Sequence, residues 1–317
     1  MRRIVLSLLL TAFATAAAAQ SYPQRLVRIV VPFPPGGSYD VLARQIAQGL
    51  TERWGQQVQV DNRSGGNGEV GTVHVAGAAP DGYTLLFWGD GVLITQWLNK
   101  SRSFDAVKSF APVSLVARTA QLLVGRSTLQ AKILSELIAL GKDGKTDLRY
   151  ATAGPGTPGH LAVELLMAKT GTKLRHIPYR GGALALTDLL SGQVEMVSTG
   201  LPALLSTVRA GTIVPLAVST EKRSPALPNV PAMTEAAPGV YVDTWYGFLA
   251  PAGLPDAIAA KIHADVVAVM RSPALLARIE EQGFEVVGAG PAELHALMVR
   301  DLPRYQEMLA IAGVKAE

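Results

Sequence analysis

The sequence predicts an α/β fold in which helices cover both faces of parallel sheets. Two observations lead to this prediction: strand-like and helix-like segments alternate along the chain, and two separate strands end in the same kind of proline-aromatic-diglycine loop. The β-branched run 27–31 predicts a buried strand, and Val41, Leu42, Ile46 and Leu50 share one face of the helix that follows. Because strands that alternate with helices usually pair in parallel, each unit should extend a sheet.

The remaining elements continue the alternation. Further strands are predicted at residues 58–60, 84–88, 122–125, 148–152, 174–178, 196–199, 213–219 and 246–250. Further helices are predicted at residues 69–78, 134–142, 161–170, 183–191, 201–210, 255–271, 273–282 and 291–312. The last three helices each open with a proline, which suits a first turn because that turn needs no N–H donor.

The N-terminus has the pattern of a secretory signal peptide, which we assign to residues 1–19. Arg2 and Arg3 are basic, residues 4–14 are apolar, and the small residues 17–19 form a cleavage site before Gln20. The apolar stretch is shorter than the roughly 18 residues that a membrane-spanning helix requires. We therefore expect an exported, soluble mature chain.

Composition and charge exclude several classes of function. The chain has no cysteine, which excludes lipid attachment after the signal, disulfides and a thiol nucleophile. Its 29 Lys and Arg face 25 Asp and Glu, and removal of Arg2 and Arg3 leaves 27 against 25, or +2, without basic clusters. No nucleic-acid partner is therefore expected. Because the five histidines lack metal-ligand spacing, we expect neither a metal nor another cofactor.

Glycine-rich loops in front of helices are the strongest functional signal in the chain. The run 29–37 reads IVVPFPPGG and the run 175–182 reads RHIPYRGG, so each joins a strand to a helix through proline, an aromatic residue and two glycines. A helix N-terminus carries free N–H groups and a partial positive charge, and glycine lets a ligand approach them. The loops 34–38, 64–68, 154–159 and 180–182 are therefore candidate anion sites. If two lobes face each other, loops from both would meet in one cleft.

Two Gly-x-Gly-x-x-Gly matches, at 66–71 and 154–159, are weak evidence for a dinucleotide site. Pro155 and Pro158 remove backbone donors from the second match, and neither match opens the first strand-helix-strand unit. A tight turn without a ligand remains an alternative for each glycine loop. An exported hydrolase that uses Ser38 or His160 is the alternative from another class, although the chain has no Gly-x-Ser-x-Gly elbow.

Several polar and aromatic residues near these loops have two possible roles. Asp40 lies in a first helical turn, where a carboxylate stabilises the helix. His160 is in a similar position and is either a neutral donor to a ligand oxygen or a packed, inert histidine. Trp88, Trp245 and Tyr246 lie at strand ends and would line an apolar slot or fill the core.

Blocks throughout the chain resemble the Bug family, the periplasmic solute-binding proteins of tripartite tricarboxylate transport systems. They include YPQRLVRIVVPFPPGGSYDVLARQIAQGL, YATAGPGTPGHLAVELL, IPYRGGALALTDLLSGQVEM and WYGFLAPAGLP, and similar blocks continue from Tyr22 to the C-terminus. The resemblance implies a two-lobed, type II-like periplasmic binding protein, each lobe a mainly parallel sheet flanked by helices, with a ligand cleft between them. It implies one lobe at 20–123 plus 247–317, a second at 124–246, and hinge crossings near 120–125 and 242–247.

The resemblance also implies what the protein binds. The family closes on small carboxylates, among them amino acids, nicotinate, citrate, other dicarboxylates and aromatic acids, largely through backbone groups and ordered water. The expected partners are such a ligand and the permease subunits in the membrane, and the chain is expected to be a periplasmic monomer without enzymatic activity. A sensor that docks on a membrane kinase is an alternative output.

The family's gripping loops map onto three stretches of this chain. The matching residues are Pro35, Gly36, Gly37 and Ser38 in the first loop, Gly156, Thr157 and His160 in the second, and Tyr179, Gly181 and Gly182 in the third, where Arg180 also belongs to the motif. Phe33, just before the first loop, is also included in the predicted site.

Two further stretches depart from the family pattern. Phe87-Trp88-Gly89-Asp90-Gly91 replaces a Gly-Thr-x-Gly-Thr-like stretch, and Thr199-Gly200 replaces an Asp-Asn-type pair. We include Trp88, Asp90 and Thr199 in the predicted site. If Asp90 faces the cleft, the ligand should carry an amine, a ring N–H or a hydroxyl beside its carboxylate, because like charges repel. The alternative is that Trp88 is core and Asp90 caps a helix that begins near Val92.

Overall fold

The computed structural model describes residues 22–98 and 103–314. The signal peptide predicted for residues 1–19 lies outside this range. Within the described residues, no helix is both long enough and apolar enough to cross a membrane.

Strands and helices alternate along most of the chain, as predicted. The strands are β1 (Val27–Val31), β2 (Val58–Asn62), β3 (Thr84–Gly89), β4 (Phe110–Arg126), β5 (Arg149–Thr152), β6 (Arg175–Pro178), β7 (Met196–Gly200), β8 (Ile213–Val218), β9 (Asp243–Pro251) and β10 (Glu285–Ala289). The helices are α1 (Ser38–Trp54), α2 (Glu69–Ala76), α3 (Gly91–Leu98), α4 (Leu134–Asp143), α5 (Pro158–Thr170), α6 (Gly182–Leu190), α7 (Leu201–Arg209), α8 (Met233–Ala236), α9 (Asp256–Met270), α10 (Pro273–Glu281) and α11 (Pro291–Ile311).

The strands form two halves with the same plan. The order is β2-β1-β3-β9-β4-β7-β5-β6, and β10 and β8 also pair with β4. β2-β1-β3 and β6-β5-β7 are parallel triplets, whereas the pairs that involve β4 or β9 are antiparallel. The expected α/β architecture is thus present, but the expectation of mainly parallel sheets needs correction. β4 runs from the first half into the second and β9 joins them in the opposite direction, so these neighbours must be antiparallel.

β4 is the element that links the two halves. Its first part pairs with β9 up to Ala120, and its last part pairs with β7 and β8 from Gln121 onward. The sequence predicted only 122–125 of this 17-residue strand. Pro112 lies in the missed part, beside an irregularity in the β9 pairing, and a proline lowers the expectation of a strand. β10 was also missed, because its residues are mostly half-exposed and Gly288 interrupts it with a positive φ of 66°.

Apolar periodicity accounts for the packing of each half. In the first half, Leu42, Ile46 and Leu50 of α1 are fully buried against the sheet, while Val41 at the edge of the predicted face is half-buried. α1 ends at Gly55, whose left-handed φ of 63° lets its N–H bond to Thr51 O. These cores hold the strand ends, and hence the glycine loops, in fixed positions around the space between the halves.

Candidate ligand-binding site

A cavity of about 210 Å³ lies between the two halves, where the glycine loops meet. Ten of the predicted residues line it: Phe33, Pro35, Gly37, Ser38, Trp88, Gly156, Thr157, Gly181, Gly182 and Thr199. The other four, Gly36, Asp90, His160 and Tyr179, take different positions that are described below. The loop 64–68 also reaches the cavity, through Asn67.

Four helices begin at this cavity. Their N-cap residues are Gly37 for α1, Thr157 for α5, Gly181 for α6 and Gly200 for α7, and in none of the four does a side chain cap the helix. The N–H groups of an uncapped first turn have no partner within the helix, and the helix dipole adds partial positive charge. This arrangement can bind an anion through backbone groups alone.

The two recurrent loops lie opposite each other across the cavity. A methyl group built on Gly181 would lie 3.9 Å from Cδ of Pro34, so the loops approach to van der Waals distance. Both α1 and α6 have a first turn without proline, whereas α5 and α7 each have a proline at one of their first two positions. Because proline lacks an N–H, α1 and α6 offer the fuller sets of donors.

Other contacts close the two halves around the cavity. A Cβ on Gly200 of β7 would lie 2.7 Å from the Ser38 hydroxyl oxygen, and a Cβ on Gly156 would lie 2.4 Å from Cδ1 of Leu98. The Tyr246 hydroxyl oxygen lies beside Ser38, 3.6 Å from the same Gly200 Cβ position. The absence of side chains at Gly156 and Gly200 is therefore what allows the halves to meet.

Aromatic rings form one wall of the cavity. Phe33 stacks on Tyr39 at 5.7 Å between centroids and meets the edge of Trp88 at 5.7 Å, and Tyr39 packs on Tyr246 at 4.5 Å. The Trp88 ring is 2% exposed and lies against Gly91, where a Cβ would come within 2.4 Å of the indole. Trp88 is thus both core and cavity wall. Tyr246 also lines the cavity, whereas Trp245 is buried in the core.

Asp90 does not line the cavity, contrary to the sequence-based prediction. Its side chain is fully buried, and it accepts hydrogen bonds from Tyr39 Oη (3.3 Å) and Gly91 N (3.0 Å) on Oδ1. Its backbone carbonyl accepts the N–H groups of Leu93 and Ile94, so Asp90 precedes α3 as an N-terminal cap. The structure therefore supports the alternative prediction, in which Asp90 caps the helix that follows it.

Asp90 is best described as a neutral acid. Burial raises its pKa to about 8, and the hydrogen bonds from Tyr305, Tyr39 and the Gly91 N–H only partly offset that cost. The Tyr305 oxygen lies 3.1 Å from Asp90 Oδ2 and 3.3 Å from the Asp243 carbonyl oxygen, yet it has a single hydrogen. Both contacts are satisfied when protonated Asp90 donates to Tyr305 and Tyr305 donates to Asp243 O.

His160 supports a cavity loop from behind. Its Nδ1 accepts the Gly156 N–H at 2.9 Å, and its Nε2 lies 3.4 Å from Glu164 Oε1. The ring stacks on His176 at 4.0 Å, and burial and the nearby His160 lower the pKa of His176 to about 4. The packed role, rather than direct contact with a ligand, fits this geometry.

Tyr179 and Gly36 also lie outside the cavity. The Tyr179 hydroxyl donates to Asp188 Oδ2 at 2.5 Å, which turns the ring away from the ligand space. Gly36 has a φ of 92° and donates its N–H to Asp40 Oδ2 at 3.0 Å. Both residues shape the loops whose neighbouring glycines reach the cavity.

Several residues that line the cavity were missed from the sequence, namely Asn67, Gln121, Ser198, Tyr39 and Leu184. Asn67 has an unusual φ of 51° for a non-glycine residue and lies in a loop already selected for its glycines. The Ser198 hydroxyl oxygen is buried and has no hydrogen-bond partner among the described atoms, so it is available to a ligand. Gln121 lies where β4 changes partners, in a part of the strand that the sequence did not predict.

Charges near the cavity are few. Among the described residues that line it, Asp40 is the one carboxylate and the exposed Arg180 the one cation. Burial opposes ionisation of Asp40, but hydrogen bonds from Arg44, the Gly36 N–H and Asn62 outweigh it and lower the pKa of Asp40. Its oxygens are thus engaged by the first loop, α1 and β2 rather than directed at a ligand.

Comparison with known proteins agrees with this geometry. The sequence profile of the tripartite tricarboxylate transporter family receptor (TctC) matches residues 42–313. The chain is 32% identical over 305 residues to the protein BugT of Bordetella pertussis, an alignment that covers 95% of this chain and 94% of BugT.

Two solved structures have the same fold over their whole length. R. palustris Rpa4515 with adipate superposes with a TM-score of 0.89 at 33% identity, covering 93% of this chain and all of that one. The periplasmic binding protein BugD gives a TM-score of 0.87 at 33% identity, with the same coverage. The two-lobed architecture is thus that of periplasmic binding proteins such as BugD. The chain belongs to the TctC family of tripartite tricarboxylate transporter receptors, to which the Bug proteins also belong.

Proposed function

We propose that this protein captures a small carboxylate in the periplasm and presents it to the membrane permease of a tripartite tricarboxylate transporter. The observation that carries the proposal is the pair of recurrent loops, which bring the uncapped N-termini of α1 and α6 to one cavity from opposite halves of the fold. Such N–H groups suit a carboxylate. The adipate in the Rpa4515 structure is consistent with this class of ligand.

The proposal includes a hinge between two lobes. We assign residues 20–123 plus 247–317 to one lobe and 124–246 to the other, with crossings at 120–125 and 242–247. The change of β4 partners between Ala120 and Gln121 supports the first crossing. β9 starts at Asp243, opposite Ala120, which supports the second. Ligand binding should favour the closed arrangement through its contacts with both lobes.

Export and simple binding complete the proposal. The signal pattern of residues 1–19 would bring the chain to the periplasm, where it would act as a monomer. We infer that the ligand is released unchanged, since Ser38 lies beside Tyr246, and His160 is held by the Gly156 N–H and Glu164. Mass spectrometry after incubation should recover an added acid unmodified, and a new product would instead indicate an enzyme.

Closure can be tested at the Gly200–Ser38 contact. Gly200 has φ −52° and ψ 129°, which alanine can adopt, but its Cβ would lie 2.7 Å from the Ser38 oxygen of the opposite lobe. We expect Gly200→Ala to keep the thermal stability of the ligand-free protein and to weaken binding at least tenfold. Small-angle scattering should show a smaller contraction with ligand than in the wild type.

A second variant separates closure from folding. In Gly200→Ala/Ser38→Ala the obstructing oxygen is removed, and the Ser38 Cβ lies at an ordinary 3.6 Å, so the ligand-induced contraction should return. The probes are phenylacetate, adipate, malate and glutamate. If none of these acids binds the wild-type protein, or binding occurs without contraction, the proposed function is wrong.

A further inference from the structure

The cavity has one polar end and one apolar wall, and this asymmetry limits the acid that fits. At the polar end, Ser38 of α1, Gly182 of α6 and Thr199 of β7 lie together, and a Cβ on Gly182 would lie 2.4 Å from Thr199 Oγ1. Beside the Gly156 loop, Ile94 and Leu98 of α3 come within 3.3 and 2.4 Å of the Gly156 Cβ position. The N-termini of α1 and α6 can therefore satisfy one carboxylate, whereas α5 begins with Pro158, which lacks an N–H, and adjoins the hydrocarbon of α3.

The size of the space suits a single ring. A dry apolar cavity of about 150 Å³ is sufficient for benzene, and this cavity holds about 210 Å³. The Trp88 indole, fixed against Gly91 and Phe33, provides a flat and rigid wall. Aromatic rings prefer offset or edge contacts with such a surface.

Among the described residues that line this space, the one carboxylate that could pair with a ligand ammonium group is already engaged. Asp40 accepts hydrogen bonds from Gly36 N, Arg44 and Asn62 and is already neutralised by Arg44. Asp90 is buried behind the wall, where Tyr39 and Tyr305 use its oxygens. Burial of an unpaired ammonium is strongly unfavourable, and neutral amides such as Gln121 do not supply the missing charge.

We propose that the ligand is a monocarboxylate with an apolar, ring-sized body and without an ammonium group, such as an arylacetate or arylcarboxylate. This inference rests on the proposed function and narrows it. It replaces the sequence-based expectation that Asp90 would select an amine beside the carboxylate.

A pair of ligands tests the inference directly. Phenylacetate and phenylglycine share the ring and the carboxylate and differ by one ammonium group. By calorimetry we expect phenylacetate to bind at least tenfold more tightly than phenylglycine, malate or glutamate. Equal affinity for phenylglycine would overturn the exclusion of ammonium. Tighter binding of adipate or malate than of phenylacetate would overturn the apolar body and leave the proposed function intact, whereas no binding of any acid would overturn both.

A pair of variants tests the position of the ring without risk to the core. Leu184 lines the cavity and is 52% exposed, while Leu190, outside the cavity lining on the same helix α6, is 51% exposed. Leu184→Ala should lower the affinity for phenylacetate about three- to tenfold, and Leu190→Ala should change that affinity less than twofold. Equal effects of both substitutions would overturn the placement of the ring beside Leu184.

Discussion

The two recurrent loops have the same sequence pattern, but their aromatic residues have different roles. In the first loop Phe33 points into the cavity, where it stacks on Tyr39 and touches Trp88. In the second loop Tyr179 points away, because its hydroxyl finds Asp188 on α6. The shared pattern therefore predicts a helix N-terminus at the site, whereas the aromatic side chain goes wherever its own chemistry is satisfied.

The loops also differ in how they are held and in the space around their glycines. The first is fixed by Asp40, which accepts the Gly36 N–H, and by Asn62, which donates to Phe33 O at 3.0 Å. A Cβ on Gly37 would meet nothing within 4 Å, whereas one on Gly182 would collide with Thr199. The first loop is thus open towards the ligand, and the second is packed against its own lobe.

The largest effect is expected at Asp90, which anchors the first loop through Tyr39. Because burial raises its folded pKa to about 8, Asp90 keeps a proton in the folded state that it loses on unfolding above about pH 4. The contribution of Asp90 to the free energy of unfolding is therefore largest below about pH 4. It falls by up to about 1.4 kcal/mol per pH unit as the pH rises towards 8. Asp90→Asn cannot ionise, so urea unfolding should show a smaller loss of stability from about pH 5 to about pH 8 than in the wild type.

The comparison of Asp90→Asn with the wild type at each pH tests the protonation of Asp90. If Asp90→Asn and the wild type lose stability in parallel as the pH rises, then Asp90 is ionised in the folded protein. The assigned hydrogen bonds from protonated Asp90 to Tyr305 and from Tyr305 to Asp243 O would then be wrong.

The next effect concerns the packed glycine of the second loop. Gly182→Ala places a methyl 2.4 Å from Thr199 Oγ1 and should lower the free energy of unfolding by about 1–3 kcal/mol, as overpacking does. Adding Thr199→Ala should recover part of the loss, whereas Gly37→Ala should stay within about 0.5 kcal/mol of the wild type. Denaturant unfolding without ligand measures all three, and equal stabilities would remove the difference between the loops.

The order of strands, helices and glycine loops along the sequence predicted which loops reach the cavity, but not which side chains face it. Alternating elements and the glycine patterns located the four glycine loops that reach the cavity, because N-terminal helix chemistry is local. Asp90 was misplaced because Tyr305, which turns it inward, lies 215 residues further along the chain. Gln121 was missed because its strand is held by pairings with distant segments, and Pro112 obscured that strand in the sequence.

The open glycine of the first loop should affect binding rather than folding. Gly37 has φ −79° and ψ 170°, which valine can adopt, and it lines the cavity. Gly37→Val should lower the affinity for phenylacetate at least tenfold, or about 1.4 kcal/mol of binding free energy. If phenylacetate does not bind the wild type, adipate is the probe. Gly77→Val, at an exposed glycine with φ −89°, is the matched control and should leave affinity unchanged. Retained affinity in Gly37→Val, with intact circular dichroism, would remove this loop from the site.

The smallest effect should come from the aromatic residue that faces away. Tyr179→Phe removes the hydrogen bond to Asp188 and should cost about 0.5–1 kcal/mol of stability, the usual net value of one such bond. Because the ring does not line the cavity, calorimetry with the same acid should show less than a twofold change in affinity. Phe33→Leu, which removes a ring from the cavity wall, is the comparison and should weaken binding severalfold. If Tyr179→Phe weakened binding as much as Phe33→Leu, the two aromatic residues would be equally important for binding despite their opposite directions. The hydrogen bond from Tyr179 to Asp188 would then position the N-terminus of α6 for the ligand.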